Sequence, residues 1–98
     1  MNAVQKVFVE DRRLAILRFL AEDKAYQLNT AMLQEALRAI GHTVSRDEVE
    51  TQAAWLEEQG LVTLERIGPV TVAKLSERGL DCATGACCVP GVKRPGPR

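Results

Sequence analysis

The chain has 98 residues, with 13 basic and 13 acidic side chains, a formal net charge of zero, 46% hydrophobic residues and 27% charged ones. That length supports one domain with one core, and the balanced charge excludes reading nucleic-acid binding from bulk electrostatics. No apolar run approaches the roughly 18 residues of a membrane span, a secretory leader pattern is lacking, and three cysteines near one end make no disulfide framework, so a cytoplasmic protein without a membrane partner is expected.

Val4, Val7 and Phe8 keep helical spacing, and Asp11 precedes a stronger pattern, RRLAILRFLAED, with Leu14, Leu17, Leu20 and Ala21 inward. Two readings stand: Asp11 caps a second helix from Arg12, or Glu10 and Asp11 are exposed positions in one continuous helix. Val4, Val7 and Phe8 either pack on their own domain or form a dimer interface. Ala25-Tyr26-Gln27-Leu28 alternates and is too short for a helix, which suits one short strand. Asn29 or Thr30 then offers an N-cap for a helix whose apolar stripe, Leu33, Ala36, Leu37 and Ile40, ends at Gly41.

Gly41-His42-Thr43-Val44 has the length and the glycine that a helix-turn-helix requires, with Val44 at the corner and His42 exposed. Ser45 and Glu48 form a capping box for the next helix, whose stripe is Val49, Ala53 and Leu56 and which stops at Gly60. Trp55, one position off that stripe, closes a core edge. Beyond Gly60 the β-branched runs Leu61–Leu64 and Val70–Val72 flank the turn residues Ile67-Gly68-Pro69, which predicts a hairpin. Ser76 caps a last helix from Glu77 to about Ala83. Residues 85–98 hold no periodicity and read as a Pro/Gly-rich basic tail, mobile or laid over a surface, following a domain over 1–84.

A capped helix running through EEQGLV into a hairpin resembles the winged helix-turn-helix. The resemblance implies a mainly α fold: a three-helix core, a short strand, a two-stranded β wing, a short C-terminal helix and a loose tail. More specifically, AWLEEQGLVTLERIGPVTVAKLSERGLDCATG followed by VPGVKRP, with RLAILRFLAE and GHTVSRDEV upstream, resembles a family of small proteins encoded in Mu-like bacteriophages and prophages. That resemblance spans nearly the whole chain and implies a phage protein working in the cytoplasm of a bacterial host, with DNA binding expected from the fold. The chain departs from the family pattern in carrying Glu48 and Glu50 at positions that tend to be basic, and in having Cys82, Cys87 and Cys88.

On this reading the helix from Arg46 enters a major groove. Arg46 reads guanine, Glu50 accepts from a cytosine amino group, and Thr51 and Ala54 touch a thymine methyl. Thr43 and Ser45 approach phosphates together with the N-terminal amides. Further phosphate contacts come from Arg66 and Lys74 on the wing, Lys93, Arg94 and Arg98 on the tail, and Lys24. Such a set is near the low end of the roughly 6 to 10 contacts of salt-sensitive binders, so a homodimer is expected. The expected function is a DNA-binding transcriptional regulator, supported if Arg66, Lys74 and the tail cations converge on the side of Thr51.

The acidic surplus between Asn29 and Gly60 supports the alternative, a protein-interaction module gripping a phage or host partner without binding DNA. Catalysis is not expected, because no acid–base or nucleophilic constellation can be assembled around a single histidine. Cys82, Cys87 and Cys88 are spaced C-x4-C-C, lack the C-x2-C pairing of zinc sites, and would need His42 to complete one, so no metal or cofactor is expected.

Overall fold

The computed structural model describes residues 1–96. The elements are α1 (Ala3–Glu22), β1 (Gln27–Asn29), α2 (Thr30–Ala39), α3 (Arg46–Glu58), β2 (Val62–Ile67), β3 (Val70–Leu75) and α4 (Glu77–Thr84), that is, four helices and a small antiparallel sheet in the order β1-β3-β2.

α1 is a single helix, and its start is not Asp11. Asn2 accepts from the Gln5 amide at 2.8 Å while the Gln5 side chain accepts from the Asn2 amide at 3.2 Å, a reciprocal pair that satisfies two orphan donors. Glu10 and Asp11, expected to be exposed in a continuous helix, are half-buried, and no residue from Val9 to Ala21 is exposed. The reason is tertiary: α2, α3, α4 and β3 all pack on this helix, so along that length no side chain stands free and only a groove beside Ala15, Arg18 and Phe19 stays open to solvent. Leu14, Ile16, Leu17 and Leu20 carry the core, joined by Leu33 and Leu37 of α2, Val49 and Leu56 of α3, and Leu61, Val62, Ala73 and Leu75 of the hairpin.

Asn29 caps α2 by accepting from the Met32 amide at 2.8 Å. Ile40, assigned above to the inward stripe, is 53% exposed, because α2 ends at Ala39 and Ile40 leaves helical geometry (ψ 14°). Tyr26 is not in the strand either. With φ +58° it forms the turn before β1, whose Leu28 pairs with Ala73. Ser45 caps α3 as expected, accepting from the Glu48 amide at 3.1 Å, yet the return half of the capping box is not made. The Glu48 carboxylate is drawn instead to Arg12 (2.7 Å) and Gln52 (2.9 Å), since a charge-assisted bond to a largely buried guanidinium outweighs one to a solvated amide.

The hairpin turns on Gly68 at φ +61° followed by Pro69, which can only take negative φ; this is the type II′ pattern whose twist matches the strands. Its register places Val62, Leu64 and Arg66 opposite Leu75, Ala73 and Thr71 on the inner face, and Thr63 and Glu65 opposite Lys74 and Val72 on the outer one.

The stretch after α4 is laid over the surface, the second of the two possibilities left by its composition. Val89 and Val92 are buried, the Lys93 amide donates to the Glu10 carbonyl at 3.2 Å, and Gly91 lies so close to the Trp55 ring that a Cβ there would meet it at 2.7 Å.

Candidate nucleic-acid interface

α3 presents three sides besides its buried stripe. One faces the hairpin: Thr71 donates to Glu50 at 3.4 Å, Arg66 donates to Thr71 at 3.2 Å and lies 3.6 Å from Glu50, and the Leu64 amide donates to Glu57 at 2.8 Å. The opposite side faces α1: Glu48 holds Arg12, Gln52 accepts from Arg13 at 2.7 Å, and Arg13 stacks 3.7 Å above the Trp55 ring while donating to the Gly91 carbonyl at 2.9 Å. Between them lies the open side, where Asp47, Thr51, Ala54 and Glu58 are exposed.

The residues expected to contact DNA are therefore dispersed. Thr51 and Ala54 are on the open side, and Thr43, Ser45 and Arg46 are exposed at the helix start, where Arg46 donates to Gln34 at 3.1 Å. Glu50 is half-buried and turned toward the hairpin, so the outward position read for it does not hold; the tie to Thr71 and Arg66 rotates it away. Arg66 is 74% exposed in its side chain. Lys74 projects from the outer face of the sheet, opposite to Arg66, because Arg66 pairs with Thr71 and alternation along β3 puts Lys74 on the other face from Thr71. Lys93 reaches back to Asp11 at 3.3 Å, Arg94 is exposed, and Arg98 lies outside the described residues. The convergence on the Thr51 side is not formed by Lys74 or by Lys93.

Val4, Val7 and Phe8 are exposed, at 63%, 63% and 55%, on the two turns of α1 that project beyond the core. Their exposure does not fit the reading that they pack on their own domain: among the described residues Glu48 of α3 comes near Phe8 without covering it.

Sequence reasoning missed the knot around Asp11. His42, expected in solvent, is buried, and its Nε2 donates to Asp11 at 2.7 Å while Lys93 takes the other carboxylate oxygen. The His42 hydrogen bond is the main cause holding the Asp11 carboxyl below its ordinary range, opposed by burial and helped by Lys93. The knot ties the α2–α3 turn and the C-terminal stretch to α1. Three polar residues distant in sequence leave no periodic signal.

Two relatives match along nearly their whole lengths. Uncharacterized protein gp26 of Escherichia phage Mu is 48% identical over 97% of this chain and 98% of its own, and an uncharacterized protein of Haemophilus influenzae (strain Rd) is 39% identical over 95% of this chain and 91% of its own. The chain belongs to this family of Mu-like phage proteins. No protein-family model matches it.

Among the described residues of this family member, no helix is long and apolar enough to cross a membrane, and no three His, Cys, Asp or Glu side chains gather as metal ligands. Cys82 is buried, which pushes its thiol up, Cys87 is half-buried and Cys88 exposed. His42, the residue a thiol metal site would have required, is committed to Asp11.

Proposed function

We propose that the chain is a winged helix-turn-helix regulator of a Mu-like phage or prophage that binds duplex DNA as a dimer. In this reading α3 enters the major groove and the β2–β3 hairpin is the wing. The observation that carries the proposal is the open side of α3, flanked by the hairpin and preceded by the α2–α3 turn, with the exposed Arg46 at its positive N-terminal end. Arg46, Thr51 and Ala54 read base edges. Arg66 contacts phosphate: its ion pair with Glu50 is long and exposed, of the kind worth roughly 0–1 kcal/mol, so a phosphate displaces the carboxylate readily. Arg94 and the basic C-terminus add further cations. Lys74, on the far face of the sheet, contributes only to long-range attraction.

One observation favours a second reading. Asp47 and Glu58 are exposed on the open side and Glu57 beside it, against the single cation Arg46, which suits a basic protein surface better than phosphate.

Binding to a pool of random duplex DNA, followed over a salt series, separates the two. The regulator reading expects sequence enrichment and a steep fall of affinity with salt, and Arg66→Ala should weaken binding evenly across sequences and reduce the salt slope by about 1. Absence of binding at low salt overturns it in favour of the basic-partner reading.

A further inference from the structure

Val4, Val7, Phe8 and Asp11 share one face of α1 with Ala15, Arg18, Phe19 and Glu22, since steps of three and four residues return to the same side of an α-helix. The first half of this face is a bare apolar ridge, with Met1 beside it at 81% exposure. The second half is a groove of about 260 Å³ with Ala15 at its floor and Arg18, Phe19 and Ile40 on its walls. Ridge and groove are thus two ends of one surface. Ile40, left exposed by the early end of α2, borders it.

We infer that this face docks on the same face of a second copy, antiparallel, with Phe8 of each chain seated in the groove of the other beside Arg18. This supplies the interface for the dimer in the proposed function and rests on that part of it.

The positions fit a two-fold axis. An antiparallel pairing in which opposing residue numbers sum to 26 sets Val4 against Glu22, Val7 against Phe19, Phe8 against Arg18 and Asp11 against Ala15. Every member of the face then has its counterpart within the face, as a closed two-fold interface requires. Position 13 is the midpoint of this register, and Asp11 and the small Ala15 face each other on either side of it, where the two helices approach most closely. A cavity of roughly 150 Å³ accommodates benzene, so the groove has room for the Phe8 ring.

The chemistry fits as well. Arg18 Nε is buried with no acceptor, and its guanidinium joins none of the ion pairs among the described residues, so its face is free to meet an aromatic ring. A contiguous apolar patch exposed on a projecting helix is also the usual mark of an interaction surface. The second copy is the occupant favoured here because knob and hole occur on the same chain in symmetric positions.

Sedimentation equilibrium of the full chain without DNA tests this. The wild type is expected at twice the 10.8 kDa chain mass, and Phe8→Glu at the single-chain mass with unchanged helical circular dichroism, because Phe8 is exposed in the single chain. Arrangement is tested with Cys87 and Cys88 replaced by serine. Mixed Phe8→Cys and Arg18→Cys chains are expected to cross-link on oxidation, whereas Phe8→Cys alone is not, its two copies lying ten residues apart, about 15 Å. A wild type at single-chain mass, a dimer untouched by Phe8→Glu, or self-cross-linking of Phe8→Cys would each overturn the inference. A dimer that ignores DNA sinks only the regulator reading, and a DNA-binding single chain sinks this inference together with the dimeric part of that reading while leaving DNA binding intact.

Discussion

Ala3–Phe8 and Val9–Ala21 belong to one uninterrupted helix, yet every residue of the first segment is exposed and none of the second is. Both segments mix apolar and polar residues at helical spacing. What separates them is the reach of their neighbours: α2, α3, α4 and the C-terminal stretch pack on the second segment, and most of the first extends beyond them. Helicity in the bare turns is held by the Asn2–Gln5 cap and by propagation from the buried segment rather than by packing of their own. Amphipathic spacing therefore means two different things along α1. It marks a core where neighbours exist and an available surface where they do not.

The largest effect that would test this contrast comes from Leu17→Ala, which removes a fully buried side chain; it is expected to destabilise by about 2–5 kcal/mol in urea unfolding. Gly91→Ala comes next. Its Cβ strikes Trp55 and lies 3.1 Å from Arg13, at φ +98°, so over-packing and backbone strain together should lower stability by about 1–3 kcal/mol. Failure of the Tm to move would mean that the C-terminal stretch does not clamp the second segment.

Asp11→Ala leaves buried His42 without its acceptor and should fall near the lower end of about 1–3 kcal/mol, because water reaches the half-exposed Asp11 site. The sign of its pH dependence follows from the depressed carboxyl. A folded value below the unfolded one, about 3.9, gives stabilisation that is complete above the unfolded value and lost as pH falls through the folded one. The gap between wild type and Asp11→Ala in thermal unfolding is thus expected to close as the carboxyl is protonated on acidification. A gap that widens in acid would contradict the knot. Smallest of all is Val7→Ala, expected to stay within about 0.5 kcal/mol when measured in the Phe8→Glu background, where no second copy contributes. A larger loss there would mean that the first segment packs on its own chain after all.

Much of the fold was legible from residues. The caps Asn29, Ser45 and Ser76 and the turn at Gly68-Pro69 stand where local chemistry places them, because side-chain hydrogen bonds to backbone amides and positive φ are settled within a few residues. Of the candidate site, Thr51 and Ala54 are exposed as their offset from the Val49–Leu56 stripe implies. Glu50 departs from its expected outward place. Its position on the helix wheel is ambiguous between open side and hairpin side, and only the hairpin's approach with Thr71 and Arg66 decides it. Glu48 has the spacing of a local capping box and is captured instead by Arg12, 36 residues away.

The sequence by itself determined where α2, α3 and α4 start, where the hairpin turns and most of the residues that form the core, because these follow from contacts among near neighbours and from the burial of regularly spaced apolar side chains. It also carries membership of the Mu-like phage family, through identity spread over the whole length. Only the tertiary structure decided which charges are neutralised, that His42 is buried on Asp11, that the basic C-terminal stretch lies across α1, and that one face of that helix is ridge at one end and groove at the other. Polar pairings join residues tens of positions apart without periodicity, and an exposed face is defined by which neighbours fail to reach it, a quantity no local window of sequence contains.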